Sequence, residues 1–146
     1  MAPLTTPLST SVIGVFRRRL LRIHGTILTL VALSSAVATT LGRMTGTGPF
    51  GFMEQYPMVW VGLIQAYLLM TLIAVLLILG SSQANIRKWN VVGALAHCPP
   101  LIAAFSALDV FKSMGTLGVV WVPITFHIVF FCLETFAAVY SDHPSN

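Results

Sequence analysis

Charge is what this chain has least of. Four acidic residues and eight Lys or Arg make up 8% of its 146 positions, whereas a soluble domain carries about 25%. A water-exposed globule of this size could not coat its surface with so few ionised groups. A fold whose solvent is lipid is therefore expected. The shortage also removes catalytic classes. No carboxylates pair at useful spacing, and no His-Glu-x-x-His, Gly-x-Ser-x-Gly or phosphate-cradling glycine loop occurs, so catalysis by the chain alone is not expected. Cysteine is rarer still, with two residues. Cys98 and Cys132 both fall inside apolar runs, which excludes a disulfide framework and suits small buried hydrophobes. There is no internal repeat of the kind secondary transporters are built from. The net charge of +4 comes with no basic stripe and no stacking platform, so nucleic acid is not a partner class.

Long apolar runs are what the chain does have. Hydrophobic residues make up 56%, with a mean hydropathy of +0.87. Four runs approach or exceed the ~20 residues needed to cross a ~30 Å hydrocarbon layer: about 20–42, 58–80, 89–111 and 117–140. Backbone groups find no water in hydrocarbon, so each span should be helical. The expected fold is an all-α integral membrane protein, with four transmembrane helices in an up-down antiparallel bundle and span three kinked at Pro99-Pro100. Residues 1–16 read as a flexible arm, 17–141 as the transmembrane domain and 142–146 as a tail. Ala36-Val37-Ala38 after Arg17-Arg18-Arg19 resembles a cleavable leader, but the apolar run continues to Gly42, which favours an uncleaved span.

Orientation follows from the cations. Arg17, Arg18, Arg19, Arg22, Arg87 and Lys88 lie on one side, and only Arg43 and Lys112 on the other. Both termini are thus expected in the cytoplasm of a prokaryotic cytoplasmic membrane. Phe50, Phe52, Tyr56, Trp60 and Trp121 form an outer aromatic belt, a candidate surface for docking a partner. Small residues mark candidate packing positions: Ser34, Ala38 and Gly42 on span one, and Gly93 and Ala96, with Pro99 and Pro100, on span three.

Ionisable residues at depth are functional candidates by default. Counting ~1.5 Å per residue puts His24, His97 and Glu134 roughly 7–14 Å from the cytoplasmic side, and Gln65 and His127 about 20 Å in. Glu134 needs a partner, with His24 or His97 at the right depth. This set suggests either interhelical hydrogen bonds that fix packing or a haem b or quinone site, although a depth difference of about 6 Å between His97 and His127 is awkward for two ligands of one iron. Pro99 and Pro100 remove two donors and free the carbonyls of Leu95 and Ala96, and Pro123 should free Val119 in the same way. Asp109 and Lys112 are placed to form an ion pair.

The functional expectation is a small non-catalytic accessory subunit of a larger integral-membrane complex, energy-transducing (respiratory or photosynthetic), with lipids and other membrane subunits as partners. The alternatives are a redox subunit holding haem b or quinone at His24, His97, His127 and Glu134, and a small transporter or channel subunit using the span-three break.

Overall fold

The computed structural model describes residues 11–141. It contains six α-helices and one 3-10 helix: α1 Val12–Thr45, the 3-10 helix Gly48–Glu54, α2 Pro57–Gly80, α3 Ile86–Leu95, α4 Cys98–Ser106, α5 Leu108–Ser113 and α6 Leu117–Val139. No strand occurs among the described residues. Three helices, α1, α2 and α6, are long and apolar enough to cross a membrane. Their exposed faces carry Leu, Ile, Val and Met throughout, as a surface solvated by acyl chains requires.

Span one is longer than its apolar core. At 34 residues α1 extends about 51 Å. It begins at Val12, so positions 12–16, expected to be a flexible arm, are helical. Residues 1–10 and 142–146, the rest of the expected arm and tail, lie outside the described residues.

Span three is the main departure. One span over 89–111, kinked at Pro99-Pro100, was expected; the chain instead forms three separate helices, α3, α4 and α5, none long enough to cross alone. The interruption precedes the prolines rather than sitting on them. Ala96 and His97 form a turn, with His97 N–H donating to the carbonyl of Ala94 at 3.1 Å, and Pro99 and Pro100 occupy the opening positions of α4. The physical reason is that a proline's missing N–H is harmless in a helix's first turn and damaging later. The chain therefore closes one helix and opens another. The second interruption, at Ala107, has no proline behind it. There the Ser106 hydroxyl donates back to the carbonyl of Ala103 at 3.0 Å, competing with the backbone ladder. Gly115, at φ 69°, ends α5: its N–H meets the carbonyl of Lys112, and the N–H of Thr116 meets that of Phe111 at 2.9 Å, a left-handed closure that glycine adopts without strain. Asp109 and Lys112, in the first and last turns of α5, are both exposed and form no ion pair with each other. In α6, Pro123 sits inside an otherwise continuous helix.

The chain divides into two compact units. One comprises residues 1–22 with 79–146, the other residues 23–78.

In the second unit α1 and α2 form an antiparallel hairpin. Trp60 Nε1 donates to Thr40 Oγ1 at 3.3 Å, and Tyr67 and Ser35 are joined by a side-chain hydrogen bond. A Cβ added to Gly25 would lie 2.7 Å from the carbonyl oxygen of Ala74, so only glycine permits that approach. The small-residue stripe expected at Ser34 and Ala38 is not this packing face, because both are exposed. Packing runs instead through Gly25, Leu28, Ala32, Ser35, Thr39 and Gly42, alternately three and four residues apart. That spacing follows one face of a helix, whereas a strict four-residue stripe drifts round it.

Candidate functional site: a polar seam between two helices

In the first unit α3 packs antiparallel against α6. On α3 the buried residues Ile86, Asn90, Gly93 and Ala94 share one face with His97, which is also buried. On α6 they meet Phe130, Glu134, Ala137 and Ala138. This face carries three polar rungs.

The first rung lies at the basic end. The last carbonyls of α6 have no intrahelical donors and carry the negative end of the helix dipole. Arg17 answers both needs. Its Nε donates to the carbonyl of Ala137 and its Nη2 to that of Tyr140, each at 2.6 Å. Arg87 Nε donates to the carbonyl of Ala138. Nearby in sequence, Arg22 Nε donates to the Ser81 hydroxyl at 3.1 Å. Two of the cations that read as orientation signals thus also cap a helix.

The second rung is Glu134. Its side chain is fully buried, and its Oε2 accepts from Asn90 Nδ2 at 2.6 Å. Gly93 makes room for it, since a Cβ there would stand 2.8 Å from the carboxyl carbon. The other end of the Asn90 amide, Oδ1, is buried and takes no hydrogen bond from the described chain.

The third rung is the pair His97 and His127. Their Nδ1 atoms lie 2.9 Å apart. Such a contact requires one ring to donate and the other to accept, so the two imidazoles share one proton between facing nitrogens. Phe130 stacks on His97 with centroids 6.1 Å apart, and Phe126 meets it edge-on at 6.4 Å. His127 is half-buried. The expected 6 Å difference in depth is overturned: the two histidines lie level. The estimate assumed one straight helix from Trp89 onward, whereas α3 starts at Ile86 and closes in a turn at His97.

The structure brings Glu134, His97, His127 and Gly93 into one seam. Ala96 is half-buried at the turn, Pro99 is exposed and Pro100 half-buried. His24, on α1, is fully buried. Asn90 was missed. Its signal was present, because Asn90, Gly93 and His97 recur at three and four residues and so face one way. A bis-histidine haem does not fit the rings as they stand. An iron between them needs each nitrogen at about 2 Å, hence about 4 Å apart, and the rings bond each other directly. No group of three or more His, Cys, Asp or Glu able to hold a metal ion occurs among the described residues.

The aromatic residues expected to form an outer belt differ in their exposure. Phe50 packs on Gly42, where a Cβ would come within 2.6 Å of the Phe50 Cβ. The Arg43 guanidinium sits 4.1 Å over the Trp60 ring, a cation–π contact. Phe52, Tyr56 and Trp121 are exposed. The chain matches no family model, and no curated protein or solved structure is significantly similar to it.

Proposed function

We propose that this protein is a small non-catalytic accessory subunit of a larger integral-membrane assembly, an energy-transducing one in a prokaryotic cytoplasmic membrane. In this reading α3, α4 and α5 together make a broken third crossing. The four crossings form an up-down antiparallel bundle with both termini on the cytoplasmic, cation-rich side. The observation that carries the reading is the folded outer turn. The 3-10 helix buries Gly51 and Met53 and anchors on Gly42 through Phe50, yet Phe52 and, just after the helix, Tyr56 stay exposed. A turn ordered by its own packing while presenting two large aromatics is pre-organised for docking. Gentle extraction from native membranes followed by mass spectrometry should recover a different chain in fixed ratio. Phe52→Ser with Tyr56→Ser should deplete it at least fivefold without altering expression. Purification with no other chain in fixed ratio would overturn the reading.

A second reading, a redox subunit, is favoured by one specific arrangement: the buried Asn90 Oδ1 acceptor beside Glu134, on the face that also carries the paired histidines. A quinone head group offers the hydroxyl and carbonyl oxygens that such groups bind. Extraction in mild detergent would then retain a quinone that Asn90→Leu and His127→Phe each release. Retention unchanged by both substitutions would exclude this site, and a colourless preparation would exclude haem.

A further inference from the structure

The outward face of α2 is an unusual surface for a helix solvated by lipid. Gln65 lies on it, eight residues and so about 12 Å in from Pro57. It is exposed, and its amide makes no hydrogen bond among the described residues. Acyl chains offer no partner, so an amide at this depth carries an unmet cost. The helix's own carbonyls do not accept from it.

The surroundings of Gln65 are patterned. Met58, Gly62, Gln65, Leu69, Leu72 and Leu76 follow one another at alternate spacings of four and three residues, and all are exposed. This is the seam spacing of a left-handed helix pair, with a polar residue at one core position. Ala74 and Leu77, which are fully buried, lie on the opposite side of the helix. Space beside Gly62 is open, with no atom within 4 Å of where its Cβ would be, so a second backbone can approach there. Next to it is a shallow groove of about 450 Å³ lined by Gln65, Leu68, Leu69 and Leu72.

We infer that a second copy of this chain covers this face, with α2 packed parallel to its counterpart and the two Gln65 amides hydrogen-bonded across a two-fold axis. The choice of occupant rests on Gln65. A primary amide is self-complementary, offering both donors and an acceptor. Two copies of one chain insert with the same orientation, because the same cations direct both. Each therefore brings its Gln65 to the same depth, which a different protein does only if it has a polar group placed there. An isologous pair also repeats the leucine seam on both sides of the axis. This pairing is separate from the outer-turn docking proposed above, and either can fail without the other.

The test uses the full chain with Cys98→Ala and Cys132→Ala, in native membranes and in liposomes. Leu69→Cys and Leu72→Cys should each oxidise to a cross-linked dimer. Ala66→Cys, exposed at nearly the same depth but about 100° from Gln65 round the helix, should not. In liposomes, energy transfer between labelled copies should fall on dilution with lipid. Gln65→Leu should move that transition roughly three- to thirtyfold toward weaker association, and Gln65→Asn should restore most of it. Leucine keeps the helix apolar, so insertion is preserved in this variant. Equal cross-linking at Ala66→Cys, or a transition unmoved by Gln65→Leu, would overturn the inference.

Discussion

The α1–α2 hairpin and the α3–α6 seam solve one problem in two ways. In lipid, apolar surface alone does not drive helices together, so contact must come from close packing or from hydrogen bonds. The hairpin relies on the first. Gly25 rests on the backbone of Ala74, and Gly42 rests on Phe50. Two of its hydrogen bonds, Trp60 to Thr40 and that joining Ser35 and Tyr67, are between neutral groups. The seam relies on the second, with a guanidinium, a carboxylate and two imidazoles placed along one helix pair. The difference follows helix integrity. Two unbroken helices satisfy their own backbones and need only fit. Helix α3 ends after ten residues, too short to be held by its own ladder, and it is here that the polar rungs concentrate.

This contrast can be broken from the packing side first. Gly25→Val places new carbons against a backbone carbonyl that cannot move aside, and it should cost about 3 kcal/mol, read as loss of α1–α2 pairing in a steric-trapping unfolding assay. Wild-type stability in that variant would remove close packing as the basis of the hairpin.

The next effect belongs to the seam. Asn90→Leu leaves the Glu134 carboxylate buried without that donor and should cost about 2 kcal/mol. The double variant Asn90→Leu with Glu134→Leu should recover most of the loss, because an apolar pair of similar size is tolerated where a half-satisfied polar one is not. If the double variant is as unstable as the single one, the rung contributes shape rather than hydrogen bonding.

The smallest effect is expected at the histidine pair. His127→Phe removes the interhelical hydrogen bond to His97, a kind of bond worth about 0.6 kcal/mol in comparable membrane settings, while keeping an aromatic ring beside Phe126. Nitrogen NMR of the His97 ring should then show a change in tautomer balance. An unchanged spectrum would mean that the two rings do not exchange a proton.

Much of this was legible in the sequence, and for a simple reason. A span is announced by length and apolarity, and both are local. The runs at 58–80 and 117–140 match α2 and α6 to within a residue. The run at 20–42 lies inside α1, whose extra turns carry arginines that composition alone places outside the hydrocarbon. The third run was misread because Pro99 and Pro100 were treated as a defect within a helix rather than as the opening of a new one. Ser106 gave little warning of the second interruption, since a lone serine in a membrane helix is usually harmless. At the site, Glu134, His97 and His127 stood out as expensive residues. Asn90 did not, although it shares their face, because an uncharged amide near a span's end costs little until its neighbour is known.

Residue chemistry by itself determined that the chain is apolar enough for lipid, and where its long apolar runs lie. These follow from the transfer cost of each residue, summed along a local window. Only the tertiary structure decided that Arg17 and Arg87 cap α6, that Asn90 meets Glu134, and that the two histidines stand level. Those pairings depend on where a broken helix restarts and on how two helices 30 or more residues apart in sequence align. A shift of one residue along either helix turns its side chains by about 100°, so no local count of positions could have fixed them.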